Sequence, residues 1–425
     1  MVKISFHTFG CRLNQAESSI LKQDLAQHGF DLVPADEAAD IVVIHSCTVT
    51  ERGDADTRRA VQRVRRKNAG ARIAVIGCQA QTQGEKLLKM EGVHWVVGNA
   101  VKMDLADILS QPAPQPVLYA PPILERSFTL PAPGISADRT RANLKIQDGC
   151  DYHCSYCEIP HARGGPRSRE FSDLLHGASE LVNAGHKELV LTGINIGCYR
   201  SDGKSLLQVI ESLEGLPGLE RIRLSSIEAT TLPEGLFEKM IPAGKLCRYL
   251  HMPLQSGDDA ILKAMNRRYR ASDFFEIVRR ARKENADLCA GCDVIVGFPG
   301  EDEASFERTR RFLAGGLFDY LHVFSYSDRD HGRSRTLPGK VERGVILARS
   351  RILRDLSARL RDDFFNRYAG RTLEVLIEGR KNGMWSGLTD NYIRVILDSR
   401  RELRNRIVPV TLTGRVKGGM RGILA

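Results

Sequence analysis

Three short apolar runs near the N-terminus each end at a cysteine, and this pattern constrains the fold more than any other feature. "KISFHTFG" precedes Cys11, "DIVVIHS" precedes Cys47 and "RIAVIG" precedes Cys78. Helix-like stretches, "NQAESSILKQDLAQHG" and "DADTRRAVQRVRRKNAG", lie between them, and "HWVVGN" makes a fourth strand. Strands and helices in this rhythm form an open parallel α/β sheet. The cysteine intervals, 36 and 31 residues (47 − 11 and 78 − 47), are each about one strand–helix unit. All three thiols are therefore expected at one sheet edge, beyond the carboxyl ends of the strands, where such sheets bind ligands.

A second cysteine group lies in "DGCDYHCSYCEIP", where Cys150, Cys154 and Cys157 form a C-x3-C-x2-C arrangement. Structural zinc is usually closed by four Cys or His ligands in spaced pairs, and His153 is poorly placed to be the fourth. Soft thiolates also suit iron–sulfur clusters. A cubane held by three thiolates keeps one iron open, so the missing ligand is itself the functional feature.

Between and after these groups the chain divides into expected domains: residues 1–110, a linker at 111–135, 136–368 and 369–425. Residues 111–134 carry seven of the 17 prolines and read as a stiff, irregular linker. Strands are expected at "NLKIQ", "ELVLTGIN", "RIRLSSIE", "LCRYLHMPLQ", "CDVIVGF" and "YLHVFSYS", with helices between them. Six such units make a partial (βα)6 barrel with its working face at the C-terminal ends of the strands. A basic helical stretch at 340–368 leads to a tail whose alternating apolar residues and Gly-rich turns fit a small antiparallel β-barrel.

The formal net charge is +10, and residues 369–425 hold eleven Lys/Arg against five Asp/Glu, so 11 − 5 = +6 sits in that tail. A basic module of this kind suits a polyanion partner. Apolar runs are strand-sized, far below a membrane span, and "MVKISFHTFG" lacks a signal-peptide core. The compartment therefore reads as cytoplasm, where thiols stay reduced and serve metals.

"CDYHCSYC" resembles the signature of the radical S-adenosylmethionine (SAM) enzymes. With the first cysteine triad it extends the resemblance to the methylthiotransferases, over essentially the whole chain. Further family-like stretches are "TFGCRLNQAES", "HSCTVT", "IPHARGGPRSR", "LTGINIG", "RLSSIE", "HMPLQSGDDAILKAMNRRY", "DVIVGFPGE" and "GLTDNYIRV". That family joins a three-cysteine domain, a radical SAM barrel and a TRAM barrel that binds RNA.

The resemblance implies two [4Fe-4S] clusters and SAM as cofactors. Cys150, Cys154 and Cys157 would hold the radical cluster, and Cys11, Cys47 and Cys78 an auxiliary one. Gly193, Asn195, Ser225, Glu228, Gln255 and Ser256 are the implied cofactor contacts at the barrel rim. "TFGCRLNQAES" is most similar to the branch that methylthiolates N6-threonylcarbamoyladenosine at position 37 of tRNA. The partners implied are the anticodon stem-loop of ANN-decoding tRNAs and an electron donor such as flavodoxin or ferredoxin. Competing readings are isopentenyladenosine in tRNA, a ribosomal-protein aspartate, or a non-enzymatic iron–sulfur RNA-binding or electron-carrier protein.

A threonylcarbamoyl group carries a carboxylate, for which Arg is the favoured partner. Arg163, Arg167, Arg169 and Arg333 are the candidates, with Arg329 and Arg335 in the same unusual loop as Arg333. Arg58, Arg59, Arg63, Arg65, Arg66 and Lys67 read as a solvated helix face. Cys198, Cys247, Cys289 and Cys292 read as structural: Cys289 and Cys292 are i and i+3 of a strand and face opposite sides, Cys247 packs in a strand, and Cys198 has no partner in sequence.

Overall fold

The computed structural model describes residues 1–135, 140–241 and 244–425. Near the N-terminus six parallel strands form one sheet: β1 (Lys3–Thr8), β2 (Asp31–Leu32), β3 (Ile41–Ser46), β4 (Arg72–Gly77), β5 (Val93–Val97) and β6 (Val117–Tyr119). Their order is β2-β1-β3-β4-β5-β6. Strand β3 is buried along its whole length, as expected of a parallel strand covered on both faces. Helix Glu51–Lys67 buries Thr57, Val61 and Val64 and turns Arg58, Arg59, Arg63, Arg66 and Lys67 to solvent, as its sequence implies; Arg65 pairs with Glu91.

Strand β6 lies inside the expected linker. Residues 117–119 pair in parallel with β5, and Phe128 bridges to Arg169. The proline-rich segment is thus fastened at both ends, as a sheet edge and as a strap against the next unit. The expected boundary at residue 136 lies outside the described residues.

The six expected barrel strands are β7 (Arg141–Lys145), β8 (Glu188–Thr192), β9 (Arg221–Leu224), β10 (Tyr249–Gln255), β11 (Cys289–Val296) and β12 (Tyr320–Ser325). They form two parallel three-stranded sheets, β9-β8-β7 and β10-β11-β12, joined through a bridge between Ile222 and Leu246. Their helices pack outside over one core that includes Leu174, Leu191, Ile210, Leu250 and Phe274.

The tail closes into a five-stranded barrel: β13 (Thr372–Lys381), β14 (Met384–Thr389), β15 (Arg394–Leu397), β16 (Ile407–Val416) and β17 (Gly419–Leu424). One pair, β15 and β17, runs parallel and completes an otherwise antiparallel ring. Its core is continuous with Tyr249, Cys289 and Tyr320 at the starts of β10, β11 and β12. Arg221 and Arg223 donate to the carbonyls of Glu374, Leu388, Thr389 and Asp390. Among the described residues no helix is long and apolar enough to cross a membrane.

Candidate active site

Cys11 and Cys47 follow β1 and β3, and Cys78 opens the helix after β4. The turns that carry them meet at one sheet edge. Gly10 has φ +91°, and a Cβ there would fall 2.7 Å from Cβ and 2.8 Å from Sγ of Cys47. Burial, reinforced by Cys78 and Cys11, pushes the Cys47 thiol up to about 12.

A buried ionic network braces this edge. Glu17 accepts from Lys145 at 2.7 Å, from Lys102 at 2.5 Å, and from both terminal nitrogens of Arg163 at 3.0 Å. Asp148 accepts from Lys145 at 2.7 Å and Arg163 at 2.8 Å. Asn14 receives Arg163 at 2.7 Å and donates to the carbonyls of Phe9 and Ser46, next to the Cys11 and Cys47 turns. Asn99 accepts from Lys102 at 2.6 Å and donates to the Ala162 carbonyl at 2.6 Å and the Cys78 sulfur at 3.4 Å. Two carboxylates, Glu17 and Asp148, face four cations, since Arg167 also lies 3.5 Å from Asp148, and this net positive charge, through Arg163, opposes the rise that burial imposes on the Cys11 and Cys47 thiols.

The second triad sits on a loop staged by a short hairpin, residues 147–148 paired with 167–168. Burial pushes the Cys150 thiol up to about 12. The sulfurs accept N–H groups: Cys150 from Tyr152 at 3.3 Å, Cys154 from Arg267 at 3.3 Å, and Cys157 from Ile159 at 3.4 Å. Such bonds tune cluster potentials. Among the described residues neither triad brings its three sulfurs within 4.8 Å of one another. A single tetrahedral zinc, with Zn–S bonds of about 2.3 Å, needs sulfurs roughly 3.8 Å apart. The donor sets fit a polynuclear cluster better than a single ion.

A cavity of about 170 Å³ is bordered by residues that adjoin both triads in the chain. Val49 and Thr50, just after Cys47, form one wall, and Tyr156, between Cys154 and Cys157, forms another. Gln255, Asp293, Ile295 and Phe324, from β10, β11 and β12, line it too, together with Ser325, Tyr326 and Ser327.

The expected cofactor residues divide. Gly193 lies against Gln147, where a Cβ would fall 2.9 Å from its side-chain oxygen. That oxygen also accepts the N–H groups of Ile194 and Asn195 at 3.0 and 2.8 Å. Gln147, missed in the sequence, thus staples this rim loop to the Cys150 loop, since its amide donates to the Gly149 carbonyl at 2.8 Å. Asn195 is buried and accepts from Thr231 at 2.9 Å. Glu228 pairs with Arg267 near Cys150. The buried Ser225 hydroxyl has no hydrogen-bond partner among the described residues. Gln255 holds φ +71° at the cavity wall. Ser256 departs from expectation: its buried hydroxyl meets Thr309 at 3.1 Å and the Asp258 N–H at 3.2 Å, as a helix anchor.

The arginines depart further. Arg163 is fully buried in the Glu17 network, and Arg169 is engaged by Asp173. Arg329 donates to Thr48 at 2.8 Å and Asp54 at 2.7 Å, tying its loop to the Cys47 turn. Arg167 faces a different cavity, of about 840 Å³, beneath the proline-rich strap. Only Arg333, exposed and bonded at 2.7 Å to the His153 carbonyl, and Arg335, exposed beside Asp330, keep open surface. Cys289 and Cys292 lie in separate cores, as strand alternation requires.

The radical SAM superfamily model matches residues 144–313, and the model described as uncharacterized protein family UPF0004 matches residues 3–98. Threonylcarbamoyladenosine tRNA methylthiotransferase MtaB of Bacillus subtilis (strain 168) is 35% identical over 97% of this chain and 94% of its own length. The chain belongs to the radical SAM methylthiotransferases. A tRNA-2-methylthio-N(6)-dimethylallyladenosine synthase of Thermodesulfovibrio yellowstonii is 31% identical to this methylthiotransferase, over 90% of the chain and 89% of its own length. Among solved structures, the radical SAM methyltransferase TsrM from Kitasatospora setae shares the fold. It has TM-score 0.57 and 17% identity, covering 78% of this chain and 77% of its own.

Proposed function

We propose that this methylthiotransferase adds a methylthio group to C2 of N6-threonylcarbamoyladenosine at position 37 of ANN-decoding tRNAs. The observation that carries the reading is the cavity bordered by residues adjoining both cysteine triads. It offers one place where a base meets a radical source and a sulfur source together. The name of the Bacillus subtilis relative supports the threonylcarbamoyl substrate. The synthase relative, at 31% identity, makes the isopentenyl form the reading to test against.

Cys150, Cys154 and Cys157 hold the radical cluster in this reading, and Cys11, Cys47 and Cys78 the auxiliary one. When bound, the first cluster and SAM supply the radical chemistry that an aromatic C–H requires. An electron donor such as flavodoxin or ferredoxin would supply the electron. The chain's residues do the rest. Val49, Tyr156, Ile295 and Phe324 give the cavity apolar walls that suit a planar base lifted from its stack. Gln147, Gly193 and Asn195 fix the rim beside the radical loop. Exposed Arg400, Arg401, Lys417 and Arg421 on the closed barrel meet tRNA phosphates.

The test offers the reconstituted enzyme both modified anticodon stem-loops with SAM and reductant, and quantifies methylthiolated nucleosides. Product from the threonylcarbamoyl stem-loop alone is expected; equal or exclusive turnover of the isopentenyl form overturns the assignment. For the cysteines, replacing Cys11, Cys47 and Cys78 by Ala is expected to lower iron content yet leave reductive SAM cleavage. Replacing the other triad abolishes cleavage.

A further inference from the structure

We propose that His251, Asp293 and His322 hold a divalent metal ion whose open positions face the cavity bordered by residues adjoining both cysteine triads and take oxygen donors of the substrate, above all a carboxylate. The three residues lie on consecutive barrel strands. Asp293 and His322 are register partners of β11 and β12, and His251 is two residues before Pro253, the β10 partner of Asp293. Each offers one donor atom, and the three donors lie within 4.8 Å of one another. Asp293 Oδ1 is 2.9 Å from His251 Nε2 and 3.4 Å from His322 Nδ1. Metal bonds of about 2.0–2.2 Å at octahedral or tetrahedral angles set neighbouring donors roughly 2.8–3.6 Å apart. Two of the three edges already have that length.

The outer contacts match as well. His251 Nδ1 meets the Tyr320 hydroxyl at 2.8 Å, which meets the Tyr249 hydroxyl at 2.6 Å. A ligating imidazole is commonly oriented through its other nitrogen in this way. The His251 side chain is 5% exposed whereas that of His322 is 54% exposed, so the set is closed at His251 and accessible at His322, while Asp293 lines the cavity. Two imidazoles and one carboxylate with open positions form a donor set for iron, zinc or manganese.

Charge supplies the reason for a metal. Asp293 lines the cavity, and none of its lining residues among the described residues is a cation. Arg163, Arg169 and Arg329 are engaged elsewhere. A bare Asp293 would repel a substrate carboxylate, whereas a divalent ion on it reverses the local sign and chelates carboxylate and hydroxyl together. The metal site stands on this geometry alone; the choice of ligand rests on the threonylcarbamoyl reading above.

The test uses the full chain with both clusters oxidised, a state with an even electron count and no EPR signal, and Mn2+ as the probe. Loss of the free six-line Mn2+ signal on titration reports binding. Wild type is expected to take up about one Mn2+ per chain, and Tyr320→Phe to weaken uptake about ten- to hundredfold. His322→Ala and Asp293→Asn abolish it, while His176→Ala, on an exposed helix face, leaves it unchanged. By linkage, N6-threonylcarbamoyladenosine tightens Mn2+ about tenfold or more, and isopentenyladenosine does not. Absence of stoichiometric uptake, or full uptake by His322→Ala, overturns the site. Unchanged affinity with N6-threonylcarbamoyladenosine overturns the assigned ligand. Turnover of the isopentenyl stem-loop by the Mn2+-bound enzyme sinks the substrate reading and leaves the site standing.

Discussion

At the scale of single residues, Glu17 decides most. Burial pushes its carboxyl up, but Arg163, Lys102 and Lys145 outweigh burial and hold it well below its ordinary 4.5. A depressed carboxylate contributes stability that is full above its unfolded value and lost as pH falls through the folded one. Glu17→Gln leaves those cations to Asp148 alone, and removing one member of a buried ion pair costs about 3–5 kcal/mol. Urea unfolding at pH 7 is expected to show that loss. The gap between variant and wild type then narrows only as pH falls from 4.5 toward the lower folded value. A gap that is independent of pH in this range would remove Glu17 from the hub.

At the scale of elements, the hairpin at 147–148 and 167–168 aims the radical loop, and Gly149 is its tight point. Its φ is +74°, and an added Cβ would fall 1.9 Å from the Gly165 carbonyl oxygen. The left-handed backbone costs a non-glycine residue about 1–2 kcal/mol, and here the neighbouring backbone must move as well. Gly149→Ala is expected to shift Cys150 and lower both iron content and reductive SAM cleavage. Gly203→Ala is the control: φ is +71° with nothing within 4 Å, so it keeps both. Full iron in Gly149→Ala would show that the loop does not depend on this turn.

At the scale of the whole molecule, the C-terminal barrel is fused to the partial barrel rather than appended. Val375, Ile377 and Trp385 share a core with Tyr249, Cys289 and Tyr320, so deleting residues 369–425 would expose it. Surface charge is the cleaner handle. Arg371, Arg394 and Arg415 are paired with Asp287, Glu378 and Asp362, whereas Arg400, Arg401, Lys417 and Arg421 are exposed. Changing these four to Gln is expected to weaken tRNA binding and flatten its log–log salt dependence by roughly 0.7–0.9 per lost phosphate contact. SAM cleavage without tRNA stays unchanged. An unaltered slope would move the phosphate contacts to another face.

Local pattern accounts for the architecture: the parallel sheet, the six barrel strands, the closing β-barrel and the gathering of Cys11, Cys47 and Cys78 at one edge. These are consequences of local periodicity and of spacing in units of one strand and one helix, which any reader of the chain can count. Strand β6 leaves no such mark, because three residues among prolines carry almost no period. Which polar groups meet depends on the folded chain. Arg163 looked like a substrate contact until it met Glu17, 146 residues away, and Arg329 until it met Asp54, 275 residues away. His251, Asp293 and His322 were ordinary letters in three strands until parallel pairing set them side by side. A charged side chain is written in the sequence without its partner; burial forces it to find one, and the fold alone selects which.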